Sequence, residues 1–161
     1  MLSKFAKNYK TGEPISADLV TRMNRASAFG RANWVTRQNS YSAISYDIYK
    51  TKPEDVNLDA VTLGDSRKYT LLVPPPDAHL WASFNHLSSY SSAYYTYQWS
   101  LVIAKDLFSA FDPADLFDTE VAGRYRDRVL APGGAKDAAD LVEDFLGRPF
   151  TFAAYADWLA R

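Results

Sequence analysis

The chain of 161 residues has no cysteine, which excludes disulfide frameworks and thiolate metal sites. Lacking cysteine suits the cytoplasm and is tolerated elsewhere, so composition leaves the compartment open. Histidine is scarce: only His79 and His86 occur, seven residues apart. There is no His-Glu-x-x-His, and no acidic residue stands at ligand spacing from either histidine, which makes a metal site within this chain a poor reading. Gly-x-Ser-x-Gly and glycine-rich phosphate loops are also missing. Gly133 and Gly134 follow a helical pattern rather than open one, so they fit a helix stop. No run is long and apolar enough to span a bilayer. The start, MLSKFAKNYK, lacks the apolar core of a signal peptide. Neither sign of charge is in excess: 18 Lys and Arg face 19 Asp and Glu, a net charge of -1. That balance carries no polyanion-binding signature, and neither nucleic acid nor membrane is expected as a partner.

What is present is apolar and aromatic. Hydrophobic residues make up 47% and aromatics 15%, ample for the core of one domain of this size. Eight Lys and Arg against three Asp and Glu in residues 1–50 give a mild basic bias at that end.

Helical periodicity runs through most of the chain. Leu2, Phe5, Ala6 and Tyr9 predict a helix with no room for a preceding cap, which suggests a truncated polypeptide. Thr11, Gly12 and Pro14 break it. Ser16 caps the next helix, with Leu19, Val20 and Met23 inward. Gly30 kinks or divides the helical pattern beyond it. A long helix is expected from about Ala28 to Tyr49, its stripe Val35, Tyr41, Ile44 and Ile48. The polar run Thr36 to Ser40 gives that helix a wide solvated face or a wet groove. Leu58 to Leu72 is assigned to a helix despite Gly64, and Pro74 to Pro76 force an extended segment.

Ser88, Ser89, Ser91 and Ser92 predict a mobile loop handing over to a helix near Tyr90. That helix would continue to Phe111. Asp112 and Pro113 would open a single turn to Phe117. Asp118 caps a helix with Val121, Tyr125 and Val129 inward, ended by Pro132, Gly133 and Gly134. Residues 137–146 form another, closed by Gly147, and Thr151 caps the last. Asp112, Asp115, Asp118 and Glu120 are expected to cap helices rather than to move protons. The fold class is all-α, an irregular multi-helix bundle, with residues 1–161 as a single domain.

The central stretch YSSAYYTYQWSLVIAKDLFSAF places Tyr90, Tyr94 and Tyr97 at i, i+4 and i+7, on one face of a helix. A buried Tyr hydroxyl needs a partner, so a phenolic face either packs in the core or looks into a cleft. His86 and the phenols together form a set of hydrogen-bond donors suited to a peptide carbonyl or a developing oxyanion. Spacing alone favours the core reading. His79 fits an ordinary loop histidine.

The run FNHLSSYSSAYYTYQWSLVIAKDLFSAF resembles the C-terminal part of the thimet oligopeptidase, neurolysin and oligopeptidase A family of zinc metallopeptidases. The matching residues are Phe84, His86, Tyr90, Tyr94, Tyr95, Tyr97 and Trp99. Downstream, GRYRDRVLAPGGAKDAADLVEDFLGRPF is similar to the family's closing segment. Upstream, LSKFAKNYKTGEPISADL is similar to a stretch shortly beyond the family's zinc site. The resemblance covers nearly the whole chain.

It implies that the chain is the C-terminal part of a larger, two-lobed helical peptidase with a deep channel, cutting short peptides. The zinc would be held by residues upstream, and none by this fragment, which is expected to be inactive alone. By resemblance, Tyr97 would stabilise the oxyanion, His86 would help bind substrate there, and Tyr90 and Tyr94 would contact the peptide. Ser88 and Ser89 stand where glycines are usual, and the spacing from His86 to Tyr90 is short against some members. The expected partners are short peptides and the missing N-terminal part of the same polypeptide. The face meeting that part should be exposed, aromatic and prone to self-association. Family likeness points to the cytoplasm and leaves the periplasm open. The rival reading is a non-catalytic helical peptide-binding or scaffold module that uses the same tyrosines.

Overall fold

A computed structural model describes residues 1–160. Among the described residues the protein is all-α. The only extended pairing there is an isolated antiparallel bridge, Lys7 with Pro14. No helix there is long and apolar enough to cross a membrane. Contacts gather the chain into two compact units. One joins Met1–Phe29 to Leu101–Arg161, described to residue 160, and the other is Gly30–Ser100.

In the second unit, α2 (Arg31–Lys50) begins at Gly30, whose φ of 72° is a left-handed conformation open to glycine. That glycine ends the preceding helix, so the long helix expected from Ala28 starts three residues later. Its polar run does lie along a cleft, lined by Asn33, Arg37 and Ser40. α3 (Leu58–Tyr69) is capped by Asn57, whose Oδ1 accepts from the Ala60 N–H at 3.0 Å. It ends at Thr70, just ahead of the proline run.

α2 and α3 pack on each other through small and polar residues as much as apolar ones. Val35, Ile44, Ser40 and Ser45 are buried on α2, and Thr62, Asp65 and Ser66 on α3. Two single-turn helices come next, α4 (Leu80–Ser83) and α5 (His86–Ser89). A 3₁₀ turn, Ala93–Tyr95, then leads into α6 (Thr96–Phe108).

The central helix therefore begins later than Tyr90. Tyr90 sits at the end of α5 with φ -116° and ψ 1°, and Ser91 is left-handed at φ 51°. The left-handed backbone at Ser91 turns the chain, so it does not continue as helix through Tyr90. Tyr90 and Tyr97 thus do not share one helical face, and α6 stops at Phe108 rather than Phe111.

In the first unit, the expected N-terminal helix is only a 3₁₀ turn, Leu2–Lys4. The Lys7–Pro14 bridge draws the residues after it into a loop. α1 (Ala17–Ala28) is capped by Ser16, as its side chain suggests. Residues 112–117 form turns, not a helix. Asp112 accepts from the Ala114 N–H and Asp115 from the Phe117 N–H, each only two residues on. α7 (Thr119–Tyr125) is capped by Asp118 and runs into a π turn, Arg126–Leu130. α8 (Ala138–Leu146) closes at left-handed Gly147. α9 (Ala153–Ala160) is the last helix.

Leu141, Val142 and Phe145 of α8 are buried, as is Val102 of α6. Phe145 lies 5.5 Å from Tyr125 and 6.2 Å from Phe111, ring centroid to centroid. Asp106, 1% exposed, accepts from Arg148 Nη1 and Nη2 at 2.7 and 2.9 Å and from the Thr151 N–H at 2.8 Å. Thr151 is not the cap of α9: its side chain turns to Asp106, Oγ1 lying 3.5 Å from Oδ1, and α9 begins two residues later.

Candidate functional site

The segment carrying His86 is held by side chains of α2. Ser45 Oγ donates to the Ser91 carbonyl at 2.6 Å, and the Tyr49 hydroxyl donates to the Leu87 carbonyl. A third tie comes from Tyr94, whose hydroxyl donates to Gln38 Oε1 at 3.0 Å. At the head of the segment, His79 Nδ1 lies 2.9 Å from Asp59 Oδ1, and Trp81 Nε1 donates to the same oxygen at 2.7 Å. His79, expected to be a plain loop residue, thus helps pin the chain entering Phe84 and His86 onto α3. Those two donors, His79 foremost, hold the Asp59 carboxyl below its usual pKa.

These ties bring together all four sequence-selected residues. His86 is ringed by aromatics: centroid distances are 5.7 Å to Phe84, 5.5 Å to Tyr90, 5.0 Å to Tyr94 and 5.7 Å to Tyr97. His86 Nε2 lies 3.0 Å from the Tyr97 hydroxyl. Tyr94 and Tyr97 are 5.1 Å apart. The residues picked out by helical spacing therefore lie together, although Tyr90 reaches the cluster from the end of α5.

Exposure divides the cluster. Tyr90 is 61% exposed and Tyr97 52%, so neither ring is sealed in the core. Tyr94 is half-buried, and its phenol pKa is pushed above the ordinary value, first by burial and then by Tyr41 and Tyr97; Gln38 and Arg37 pull the other way. Two residues escaped selection, Gln38 and Tyr41. Tyr41 packs 5.2 Å from Phe84 and 5.6 Å from Tyr94. Gln38 was marked only by its place in the polar run Thr36 to Ser40, and Tyr41 only by its place in the apolar stripe of the long helix.

The arrangement is a row of hydroxyl and imidazole donors on an exposed face. If Nε2 carries the proton, His86 donates to the Tyr97 oxygen, and the phenol's own proton is free to turn outward. Among the described residues no three His, Asp or Glu side chains converge to hold a metal. The zinc implied by resemblance is therefore not fitted by the described residues of this chain.

A family model described as peptidase family M3 matches residues 1–160. Oligopeptidase A of Escherichia coli (strain K12) is 29% identical over 154 residues, covering 91% of this chain and 22% of that protein. Probable cytosolic oligopeptidase A of Arabidopsis thaliana is 30% identical over 156 residues, with 91% and 22% covered. Mitochondrial intermediate peptidase of Mus musculus is 26% identical over 146 residues, with 91% and 20% covered. The chain spans about a fifth of the length of these relatives.

Proposed function

The chain belongs to peptidase family M3, and from that premise we propose that it forms one wall of the substrate channel of a zinc-dependent oligopeptidase acting on short peptides. The observation that carries this reading is the 3.0 Å contact between His86 Nε2 and the hydroxyl of half-exposed Tyr97. His86 orients the phenol, and the phenol proton meets the negative charge that grows on a scissile carbonyl oxygen. Tyr90 offers a second exposed hydroxyl to the peptide. Tyr94, its own proton given to Gln38, packs its ring 5.1 Å from that of Tyr97. The ligands of the metal are assigned to sequence outside this chain.

The test is Tyr97→Phe in the parent peptidase. Removing one oxyanion donor typically costs about 10²–10³ in turnover. We expect kcat to fall by that order while KM stays within about twofold, since the missing contact strengthens only in the transition state. Near-normal kcat would sink the reading and leave the non-catalytic peptide-binding module standing.

A further inference from the structure

Next to the aromatic cluster, and wholly within the unit Gly30–Ser100, lies a cleft of about 330 Å³ between α2, α3 and the segment 72–74. That is the small end of the about 300–1,000 Å³ usual for ligand clefts. Its polar side is made by Arg37, Tyr41, Ser40 and Ser66. Ser40 and Ser66 are 2% and 3% exposed, so the cleft reaches into the packed interface of α2 and α3. The other side is apolar, from Leu72, Val73, Pro74 and Leu80.

Arg37 is the one charged residue on these walls. Its side chain is exposed, and its Nε donates to the Tyr41 hydroxyl at 2.9 Å, which turns the guanidinium toward that phenol. No carboxylate among the described residues pairs with it. A guanidinium without a carboxylate partner suits a carboxylate, which it can grip with two parallel hydrogen bonds. Tyr41 accepts from Arg37 and so has its own proton left to give.

A carboxylate and an apolar side chain held side by side are the chemistry of the last residue of a peptide. Resting on the channel reading above, we propose that this cleft binds the C-terminal residue of the peptide substrate. Its carboxylate lies on Arg37 and Tyr41, and its side chain lies against Leu72 and Val73. The contacts of Tyr41 with Phe84 and Tyr94 set the cleft beside the His86 cluster. A peptide anchored there by its end presents its bonds to the cluster at a set distance from the C-terminus. That favours release of short C-terminal pieces over cuts at arbitrary internal bonds.

The test is an NMR titration of the full chain with three probes: N-acetyl-leucine, N-acetyl-leucinamide and the α-amide of N-acetyl-glutamic acid. We expect the free acid to bind at least about tenfold more tightly than its amide, as a charge-assisted pair implies. Its shifts should centre on Arg37, Ser66, Leu72 and Val73. Arg37→Gln should abolish the acid-over-amide preference, and Tyr41→Phe, which keeps the packed ring, should reduce it. Equal binding of acid and amide overturns the proposal. So does a glutamate α-amide that matches N-acetyl-leucine, because the carboxylate would then be a side chain's. Should Arg37→Gln not fold, the comparison of acid and amide on the unaltered chain decides. These binding results stand whatever Tyr97→Phe does to turnover, so the two readings fail separately.

Discussion

The Tyr94 hydroxyl donates to Gln38 Oε1 at 3.0 Å, joining α2 to the turn ahead of α6 across 56 residues of sequence. This bond assigns the Tyr94 proton to the scaffold, whereas the Tyr97 hydroxyl meets His86 at an exposed face. Two neighbouring phenols thus have different duties.

Tyr94→Phe should therefore lower kcat of the parent peptidase by much less than Tyr97→Phe. It should instead cost about 1 kcal/mol of stability, the usual worth of one intramolecular hydrogen bond. Urea unfolding of Tyr94→Phe, Gln38→Leu and the double variant checks the coupling, which should be non-additive because the two share one bond. Additive losses would mean the bond contributes nothing.

The second prediction concerns Asp106. Arg148 foremost, then the Thr151 N–H, hold its carboxyl below the usual pKa, against the opposing pull of burial. Arg148→Met leaves that carboxylate buried without its counter-charge. We expect a loss of about 2–3 kcal/mol, under the about 3–5 typical of a fully buried pair, because Arg148 is itself 43% exposed. A depressed folded pKa gives stability that is present above the unfolded value and lost as pH falls through the folded one. The gap between the natural chain and Asp106→Asn should therefore be widest near neutrality and close below about pH 4. Denaturation midpoints across pH measure it, and a gap independent of pH would refute the assignment.

Asp65 should behave in the opposite sense. It is 7% exposed, and its Oδ2 is buried without a hydrogen-bond partner. Burial first, then the charge of Asp47, push its pKa up, against weaker pulls from Lys68 and Lys50. A raised folded pKa means that the fold loses stability as pH climbs from the unfolded value through the folded one. Asp65→Asn should therefore stabilise the chain at neutral pH and make no difference in acid. Thermal unfolding at two pH values decides, and a destabilised Asp65→Asn at neutrality would contradict it.

Much of the fold was legible in the sequence where the controlling interaction is local. α8 follows from the spacing of Leu141, Val142 and Phe145 and from Gly147 behind them, all within one helix and its cap. α3 forms despite Gly64, with Asn57 capping its start and Thr70 closing on the Ser66 carbonyl at its end, short of the expected Leu72. The family motif around Phe84 and Tyr97 also named a set of residues that meet. What escaped was non-local. Thr151 fits a cap until Asp106, 45 residues earlier, draws its hydroxyl as well as its N–H. The N-terminal stretch fits a helix until Lys7 pairs with Pro14. Gln38 joins the cluster only through folding, since no spacing rule connects it to Tyr94.

The carbonyls of Leu87 and Ser91 are gripped by Tyr49 and Ser45 of α2, respectively, and every amino acid presents a carbonyl. Tolerance to mutation should thus run against intuition, with the serine-rich bend free to drift in identity except at left-handed Ser91. The two anchoring positions on the regular helix admit few replacements. A library built to retune this face should randomise the bend and leave its moorings alone.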